Sequence, residues 1–279
     1  MSPRVWFITG TSTGIGRNIT ELLLTKGEIV VATARKPEVL DDLKTKYPPN
    51  QFLTLKLDVD QAQEIGQAFS QAKAAFGRID VVFNNAGWLI RGEIEATPED
   101  HARKLFDTNF WAATNVSREA VRFFREENKP SGGLLINNSS VLGVAAIPGG
   151  GYYIASKHAL EGFTKTLAQE LDPDWNIKVT LLELGSFQTP GATNPRADYA
   201  HSAYAKRAYK SGKHQSGDPA KAVQRIYDFS LEAQPTLHFP VGKDSVALIK
   251  AEANAIGQDV AKHEAKSEGL GFESSTSKY

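Results

Sequence analysis

The chain has 279 residues, a length that fits two small domains or one large α/β domain. Its composition, 41% hydrophobic and 23% charged, is that of a globular protein and excludes a wholly disordered, collagen-like or coiled-coil chain. The 32 basic side chains balance 32 acidic ones, so no net charge favours nucleic acid or an anionic membrane as a partner. The sequence has no cysteine, which excludes disulfides, thiolate nucleophiles and cysteine-ligated metal sites.

The sequence predicts neither a secretory signal nor a membrane-spanning segment. Its start, MSPRVWFITG, leads directly into a short apolar run without the pattern of a signal peptide. No apolar stretch approaches the roughly 20 residues that are needed to cross a bilayer. We therefore expect a cytoplasmic protein that does not insert into a membrane.

Short β-branched runs alternate with longer amphipathic stretches along most of the chain. The predicted strands are 5–9, 29–34, 52–57, 79–83, 134–137, 177–182 and 237–240. The predicted helices are 15–26, 37–47, 62–76, 98–128, 152–171, 219–231 and 246–260. Strands separated by helix-length segments indicate a parallel sheet whose crossovers cover both faces. The predicted fold is a doubly wound parallel α/β sheet with helices on both faces.

A single domain is expected over residues 1–264, because no repeat or Pro/Ser-rich linker divides the alternating region. Residues 185–217 are rich in Gly, Pro, Ser, Tyr and Lys. A long irregular segment of this kind is typical of a lid, a binding loop or disorder, and we interpret it as a substrate lid. Residues 265–279 are predicted to form a flexible C-terminal tail.

A glycine-rich segment, Thr9-Gly10-Thr11-Ser12-Thr13-Gly14-Ile15-Gly16, follows the first strand and opens the first helix. Glycines permit a tight turn, and a helix N-terminus offers free N–H groups and a positive dipole end to a pyrophosphate. Because the strand, the glycines and the helix occur together, this segment predicts a dinucleotide-binding loop. The predicted cofactor contacts are Gly10, Ser12, Thr13, Gly14, Ile15 and Gly16.

The same residues also match the G-x-S-x-G pattern of a hydrolase, with Ser12 as the nucleophile. Such a nucleophile elbow has earlier strands that supply the oxyanion hole, whereas a single strand precedes Ser12. The hydrolase pattern also leaves Gly16 without a role. A serine hydrolase is therefore the weaker alternative.

Arg35 follows the second predicted strand, directly after Ala34. An acidic residue at this strand end accepts hydrogen bonds from a ribose 2′-hydroxyl, whereas an arginine can hold a 2′-phosphate. The sequence therefore favours NADP(H) over NAD(H). The alternative is that Arg35 and Lys36 are two solvated basic residues of a loop.

Tyr153 and Lys157 are the candidates for acid–base chemistry. Four residues apart on a predicted helix, they share one face, so the ammonium group can lie near the phenol. A nearby cation favours the phenolate, and we expect Lys157 to lower the pKa of Tyr153 from its ordinary value of about 10. The neighbouring Tyr152 has the uncharged Ser156 at the corresponding spacing.

In combination, these motifs resemble the short-chain dehydrogenase/reductase family over residues 4–190. The matching positions are Thr9-Gly10-x-x-x-Gly14-x-Gly16, Asp58-Val59, Asn84-Asn85-Ala86-Gly87, Asn109, Ser140 and Tyr153-x-x-x-Lys157. The resemblance implies a Rossmann-type fold, with Tyr153 as the catalytic acid/base and Ser140 as the hydrogen-bond donor to the substrate oxygen. It further implies that Lys157 binds the nicotinamide ribose and that Asn109 holds a water linking Lys157 to solvent.

The resemblance also implies the cofactor contacts. Asp58 and Val59 would bind the adenine, Asn85, Ala86 and Gly87 would pass under the adenine ribose, and Thr13 would assist Arg35 at the 2′-phosphate. The family commonly has Pro-Gly after its sixth strand, whereas this chain has Leu184-Gly185, and we expect a less rigid loop because proline fixes φ. Thr189 still fits the position that binds the nicotinamide amide. The region from 183 to 189 and Phe239-Pro240-Val241-Gly242 are most similar to the steroid-dehydrogenase-like branch.

The expected reaction is reversible hydride transfer between NADP(H) and a ketone or aldehyde. Apolar side chains near the carboxyl ends of the strands suggest a hydrophobic or aromatic substrate, and the candidates that would contact it are Trp88, Val144, Tyr152 and Phe187. A catalytically silent NADP(H)-binding regulator is a further alternative. The resemblance implies a homodimer or homotetramer, and no metal site is expected because the histidines lack metal-ligand spacing.

Overall fold

A computed structural model describes residues 2–190, 197–204 and 217–270 of the chain. Its strands are β1 (Val5–Ile8), β2 (Ile29–Ala34), β3 (Phe52–Lys56), β4 (Val81–Asn84), β5 (Ile90–Gly92), β6 (Gly133–Asn138), β7 (Ile177–Leu184), β8 (Ala197–Tyr199) and β9 (His238–Val241). Its α-helices are α1 (Gly14–Thr25), α2 (Asp41–Lys44), α3 (Ala62–Phe76), α4 (Glu99–Phe106), α5 (Ala113–Glu126), α6 (Gly151–Glu170), α7 (Pro219–Phe229) and α8 (Lys243–His263).

Seven strands form one parallel sheet in the order β3-β2-β1-β4-β6-β7-β9. The chain winds outward from β1 to β3, then returns and continues from β4 in the other direction. This topology confirms the predicted doubly wound α/β fold, which is a single Rossmann-like domain. Since ligands in such sheets bind beyond the carboxyl ends of the strands, where the winding direction changes, the ends of β1 and β4 mark the expected site.

Two apolar layers hold the helices against the sheet. Successive residues of a strand point to opposite faces, so Phe7 packs with Phe69 of α3 on one face, at a ring-centroid distance of 4.3 Å. Trp6 belongs to the other layer, together with Leu23 of α1 and Ile226 of α7. These side chains are all almost completely buried. Helices therefore cover both faces, as the run of apolar strands predicts.

The structure differs from the predicted elements in two places that matter for the site. The helix predicted over residues 98–128 is interrupted by a π-helical turn at Asp107–Ala112, between α4 and α5. A second, two-stranded parallel sheet pairs β5 with β8, and neither strand was predicted. Among the described residues, no helix is both long and apolar enough to span a membrane.

Candidate active site

The glycine loop between β1 and α1 is tightly packed. Gly10 and Gly14 have φ angles of 70° and 60°, in the left-handed region that favours glycine. A Cβ atom on Gly16 would overlap the carbonyl oxygen of Gly10 and lie 2.6 Å from Asn85 Nδ2. Thr13 is the N-cap residue of α1, and its side chain makes no capping hydrogen bond. The helix N-terminus therefore keeps its backbone donors available, and the loop fits a pyrophosphate.

A chain of hydrogen bonds joins this loop to Lys157. Asn85 Nδ2 donates to the carbonyl oxygens of Thr9 and Gly10, at 2.9 and 3.2 Å. Asn138 Nδ2 donates to Asn85 Oδ1 at 2.9 Å, and Lys157 Nζ donates to the carbonyl oxygen of Asn138 at 2.7 Å. Neither Thr9 nor Asn138 had a predicted role. Each lies at or directly after the carboxyl end of a strand, and this position is the sequence signal that could have identified them.

Tyr153 and Lys157 share one face of α6, as predicted, and Lys157 Nζ lies 5.9 Å from the centroid of the Tyr153 ring. Burial lowers the pKa of Lys157 to about 8, against the opposing charge of Glu161. The expected lowering of the Tyr153 pKa is not found: burial raises the pKa of the phenol, and a hydrogen bond with Ser140 only partly opposes it. Loss of hydration on burial is thus the largest effect on the Tyr153 phenol.

Ser140 follows β6 and is buried beside Tyr153. Its Oγ also accepts a hydrogen bond from the backbone N–H of Leu142 at 3.1 Å, which fixes the side chain at the start of a short 3₁₀ turn. The structure therefore brings Ser140, Tyr153 and Lys157 together at the carboxyl edge of the sheet.

Asn109 lies in the π-helical turn and is buried. Its Oδ1 accepts from the backbone N–H of Trp88 at 3.0 Å, and its Nδ2 donates to the carbonyl oxygen of Trp88 at 2.9 Å and to Ser156 Oγ at 3.3 Å. A Cβ on Gly87 would lie 3.1 Å from Asn109 Oδ1. Asn109 therefore connects the segment after β4 to α6, one residue before Lys157. Turns of π-helix are frequent at functional sites.

The residues predicted to bind the adenosine half lie along the same edge of the sheet. Arg35 is exposed after β2. Burial raises the pKa of Asp60, and the charge of Arg35 partly opposes this effect. Val59 is buried and Asp58 is half-buried, with its backbone N–H donating to Glu64 Oε2 at 2.8 Å. The half-buried Ala86 was predicted to lie under the adenine ribose. Of the predicted contacts in the glycine loop, Ser12 and Thr13 are exposed, and the side chain of Ile15 belongs to the core.

The loop after β7 is anchored although it lacks the family's proline. Leu184 is buried and extends β7 beyond the predicted end at residue 182, pairing with Val241 of β9. Asp244 Oδ2 then accepts the backbone N–H of Ser186 at 2.6 Å, and a Cβ on Gly185 would overlap this carboxylate. Contrary to the expectation of a loose loop, a strand pairing and a carboxylate contact hold its first residues.

Thr189, which was predicted to contact the cofactor amide, lies against the glycine loop. A Cβ on Gly14 would be 3.6 Å from Thr189 Cβ. Phe187 is half-buried against the core, and its ring lies 2.5 Å from where a Cβ on Gly217 would be. Phe187 therefore has packing contacts that explain its position without a substrate.

The segments that carry the predicted substrate contacts Trp88 and Tyr152 meet the predicted lid beside the site. The backbone N–H of Gly92 in β5 donates to the carbonyl oxygen of Gly149 at 2.9 Å, and β5 pairs with β8. Tyr204 Oη donates to Glu95 Oε2 at 2.5 Å. Trp88, Val144 and Tyr152 are half-buried. The predicted lid at 185–217 is described at 185–190, 197–204 and 217, whereas 191–196 and 205–216 lie outside the described residues, as does most of the predicted tail.

Ser12, the nucleophile of the hydrolase alternative, is an exposed residue of the glycine loop. Within the described part of the chain, no hydrogen bond joins its side chain to a histidine. Nucleophilic activation of a serine requires such a base.

Comparison with known proteins agrees with this geometry. A model of the short chain dehydrogenase family matches residues 4–200. The chain belongs to this family. An uncharacterised oxidoreductase of Schizosaccharomyces pombe is 34% identical over 267 residues, which cover 93% of this chain and 89% of that protein. The crystal structure of a short-chain dehydrogenase from Streptomyces avermitilis has a TM-score of 0.86 and 33% identity, covering 97% of this chain and 100% of that one.

Two more distant solved structures are similar in fold alone. An alcohol dehydrogenase from the archaeon Thermococcus sibiricus was solved with 5-hydroxy-NADP; it has 23% identity and a TM-score of 0.70, covering 86% of this chain and 96% of that one. A family member from Burkholderia phymatum was solved with NAD; it has 21% identity and a TM-score of 0.75, covering 92% and 95%. The family match and the Schizosaccharomyces pombe relative show that the chain is an oxidoreductase.

Proposed function

We propose that this protein is an NADP(H)-dependent reductase that interconverts a ketone or aldehyde with the corresponding alcohol, using Tyr153 as the acid/base. The observation that carries this proposal is the meeting of Ser140, Tyr153 and Lys157 at the sheet edge, linked by hydrogen bonds to the glycine loop. The candidate proton donor Tyr153 and the glycine loop proposed to bind the dinucleotide are thus parts of one connected site.

The glycine loop supports binding of the cofactor. Gly10 and Gly16 leave no room for a side chain, and Gly14 has a positive φ that favours glycine, so the backbone donors at the start of α1 can approach a pyrophosphate closely. Arg35 and Thr13 are exposed at the end of β2 and the start of α1, where a 2′-phosphate would meet them. The bound cofactor supplies the hydride, and the protein supplies orientation and the proton.

The protonation states of Tyr153 and Lys157 favour the reductive direction at neutral pH. A phenol with a raised pKa keeps its proton, so Tyr153 can donate it to a carbonyl oxygen that gains charge. Ser140 would hold the same oxygen. Lys157, with a pKa of about 8, is largely protonated at neutral pH and can stabilise the phenolate left behind.

The surroundings of Tyr153 support an apolar substrate. Trp88, Val144 and Tyr152 are half-buried on the segments that border the site, and their apolar surface would pack against a hydrophobic or aromatic group. Phe187 remains a predicted contact. Membership of the steroid-dehydrogenase-like branch, a cytoplasmic location, a homo-oligomeric state and the domain limits at residues 1–264 also stay predictions.

The test of this function is a screen for NADPH oxidation with ketones, aldehydes and quinones that carry apolar groups. We expect turnover of at least one apolar carbonyl compound, with release of the alcohol. NADPH binding without turnover of any of them would favour the silent regulator. Covalent labelling of Ser12 by a serine-directed reagent would instead favour the hydrolase.

The cofactor preference is tested with Arg35→Ala, and Lys36→Ala is the matched control because it removes the neighbouring exposed charge. We expect Arg35→Ala to weaken NADPH binding about tenfold while NADH binding stays unchanged, since a charge-assisted contact to the 2′-phosphate contributes roughly 1.5 kcal/mol. Equal effects on both dinucleotides would contradict the NADP(H) assignment.

A further inference from the structure

A second group of titratable side chains lies behind the catalytic helix. Glu161 of α6, Glu183 of β7 and His238 of β9 each place one carboxylate or imidazole atom within 4.8 Å of the other two. The two glutamates are 2% and 1% exposed, whereas the His238 side chain is 47% exposed. Neither the sequence motifs nor the proposed reaction uses these residues.

Three of the four carboxylate oxygens of this cluster have no hydrogen-bond partner among the described residues. His238 Nδ1 lies 2.5 Å from one oxygen of Glu183, and Lys165 Nζ lies 3.6 Å from Glu161. Within the described part of the chain, both oxygens of Glu161 and the second oxygen of Glu183 are buried without a hydrogen-bond partner of good geometry. A buried polar atom without a partner costs roughly 1–3 kcal/mol, and more when it is charged.

Two ionised carboxylates in this position would be unfavourable for two reasons. Burial raises the pKa of Glu161, the neighbouring Ser139 hydroxyl partly opposes this effect, and the charge of Glu183 raises the pKa further. Burial likewise raises the pKa of Glu183, with His238 opposing. The exposed cations that face the pair are Lys165, whose side chain is 41% exposed, and His238, and solvent screens both of them. Lys157, one helical turn from Glu161, is a buried cation that interacts with the charge of Glu161. One proton removes the repulsion and converts an acceptor oxygen into a donor.

We propose that Glu161 and Glu183 share one proton between their carboxyl groups, and that this pair positions the active site by joining α6 to the carboxyl end of β7. Because both glutamates are deeply buried and one oxygen of each lies within 4.8 Å of the other, a single O–H···O bond would complete the pair. The catalytic part of this proposal rests on the proposed reductase function.

The pair is placed to act on the catalytic residues. Glu161 follows Lys157 by one helical turn on the same face of α6. On its other side it meets the segment after β6: a Cβ on Gly143 would lie 2.6 Å from Ser139 Oγ and 3.2 Å from Glu161 Oε1. Ser139 separates Ser140 from Asn138, whose carbonyl oxygen binds Lys157. Repulsion between the carboxylates would therefore displace this segment.

Glu183 fixes the other end of the connection. Its carbonyl oxygen accepts the hydroxyl of Ser245 at 2.7 Å, and it directly precedes Leu184 and the anchored loop that leads to Thr189. The shared proton therefore links the proton donor on α6 to the loop predicted to contact the nicotinamide. A fixed distance between these two parts is what hydride and proton delivery to one substrate requires.

The first test is infrared spectroscopy of the full-length protein without cofactor or substrate. Wild type at neutral pH should show the carbonyl stretch of one protonated, buried carboxyl group. Glu161→Gln should lose this band, because the amide donates to Glu183 in place of the proton. Glu170→Gln, at the exposed end of the same helix, is the matched control and should keep the band.

Absence of the band in wild type would overturn the proposal, since both glutamates would then be ionised. Uptake of one equivalent of Mn²⁺ or Zn²⁺ by wild type, but not by Glu161→Gln, would overturn it as well. In that case a divalent cation rather than a proton would complete the cluster.

The second test addresses positioning. We expect Glu161→Ala to lower kcat about tenfold and Glu161→Gln to restore most of the loss, because small displacements of reacting groups are costly. Equal kcat values in the two variants would contradict a positioning role. If wild type shows no reductase activity, the proposed function fails while the infrared result still decides the shared proton.

Discussion

Two groups of buried polar side chains flank β6, and they differ in how their hydrogen-bond donors and acceptors are matched. In the amide network of Asn84, Ser117, Asn137 and Thr164, donors and acceptors match: Asn84 Nδ2 donates to Asn137 Oδ1 at 2.9 Å, and Asn137 Nδ2 donates to Thr164 Oγ1 at 2.9 Å. The carboxyl pair of Glu161 and Glu183 contains only acceptors when ionised. The amide network is complete at any pH, whereas the carboxyl pair depends on a proton.

The largest expected effect comes from breaking the amide network. Asn137→Ala removes the donor to Thr164 Oγ1 and the acceptor shared by Asn84 Nδ2 and Ser117 Oγ, so we expect a loss of about 3 kcal/mol in the free energy of unfolding. Urea titration measures this loss. Asn115→Ala, on α5 outside the network, is the control. A loss as small as that of the control would show that the network does not stabilise the fold.

The next largest effect is predicted for cofactor affinity, when the glycine loop is changed at Gly16. The Cβ of Gly16→Ala would overlap Gly10, so we expect the loop to be displaced and NADPH to bind about 100-fold more weakly, a change of about 2.7 kcal/mol. Calorimetric titration of the cofactor measures this. Gly66→Ala, in open space on α3, should leave affinity unchanged. Unaltered affinity in Gly16→Ala would mean that the loop does not bind the dinucleotide.

The charge of Lys157 gives the proposed reaction a pH dependence. With a pKa of about 8, Lys157 loses its proton as the pH rises through that value. We expect carbonyl reduction to slow on this alkaline limb, because a neutral amine no longer stabilises the phenolate of Tyr153. The pH profile of kcat measures it, with Lys250→Gln on the exposed α8 as the control. A flat profile from pH 7 to 9 would contradict this role.

The smallest effect is predicted for the carboxyl pair. Glu183→Gln keeps an acceptor for His238 and gains a donor for Glu161, so we expect a stability change within about 1 kcal/mol near pH 5. Folding raises the pKa of both glutamates, so the stability that the pair contributes is complete at low pH and is lost as the pH rises through the raised pKa. The stability of Glu183→Gln relative to wild type should therefore increase as the pH rises. A constant difference between their melting temperatures would contradict the shared proton.

Much of the fold was predictable because its strands are apolar runs whose burial in a parallel sheet leaves a clear pattern. β5 and β8 were missed because each has three residues and is stabilised by the other, which no local pattern reveals. The π-helical turn at Asn109 was missed for a related reason, since its side chain is turned toward Trp88 by contacts distant in the sequence.

The positions of Tyr153, Lys157 and Ser140 followed from motif spacing, but their electrostatics did not. The direction of the Tyr153 pKa depends on how deeply the phenol is buried, which only the packed structure reveals. Glu161 and Glu183 carry no motif and meet only when α6 packs on β7. Sequence spacing therefore predicts which side chains share a helix face, and three-dimensional packing decides their protonation.

The central claim is that Tyr153 delivers the proton in carbonyl reduction. The most direct measurement is the single-turnover rate of NADPH oxidation by wild type and Tyr153→Phe, with a carbonyl substrate from the screen and with NADPH affinity measured in parallel. We predict a rate loss of about 10²–10⁴ in the variant, with unchanged NADPH affinity, because a positioned acid contributes that much. An equal rate in the two proteins would contradict the assignment of Tyr153.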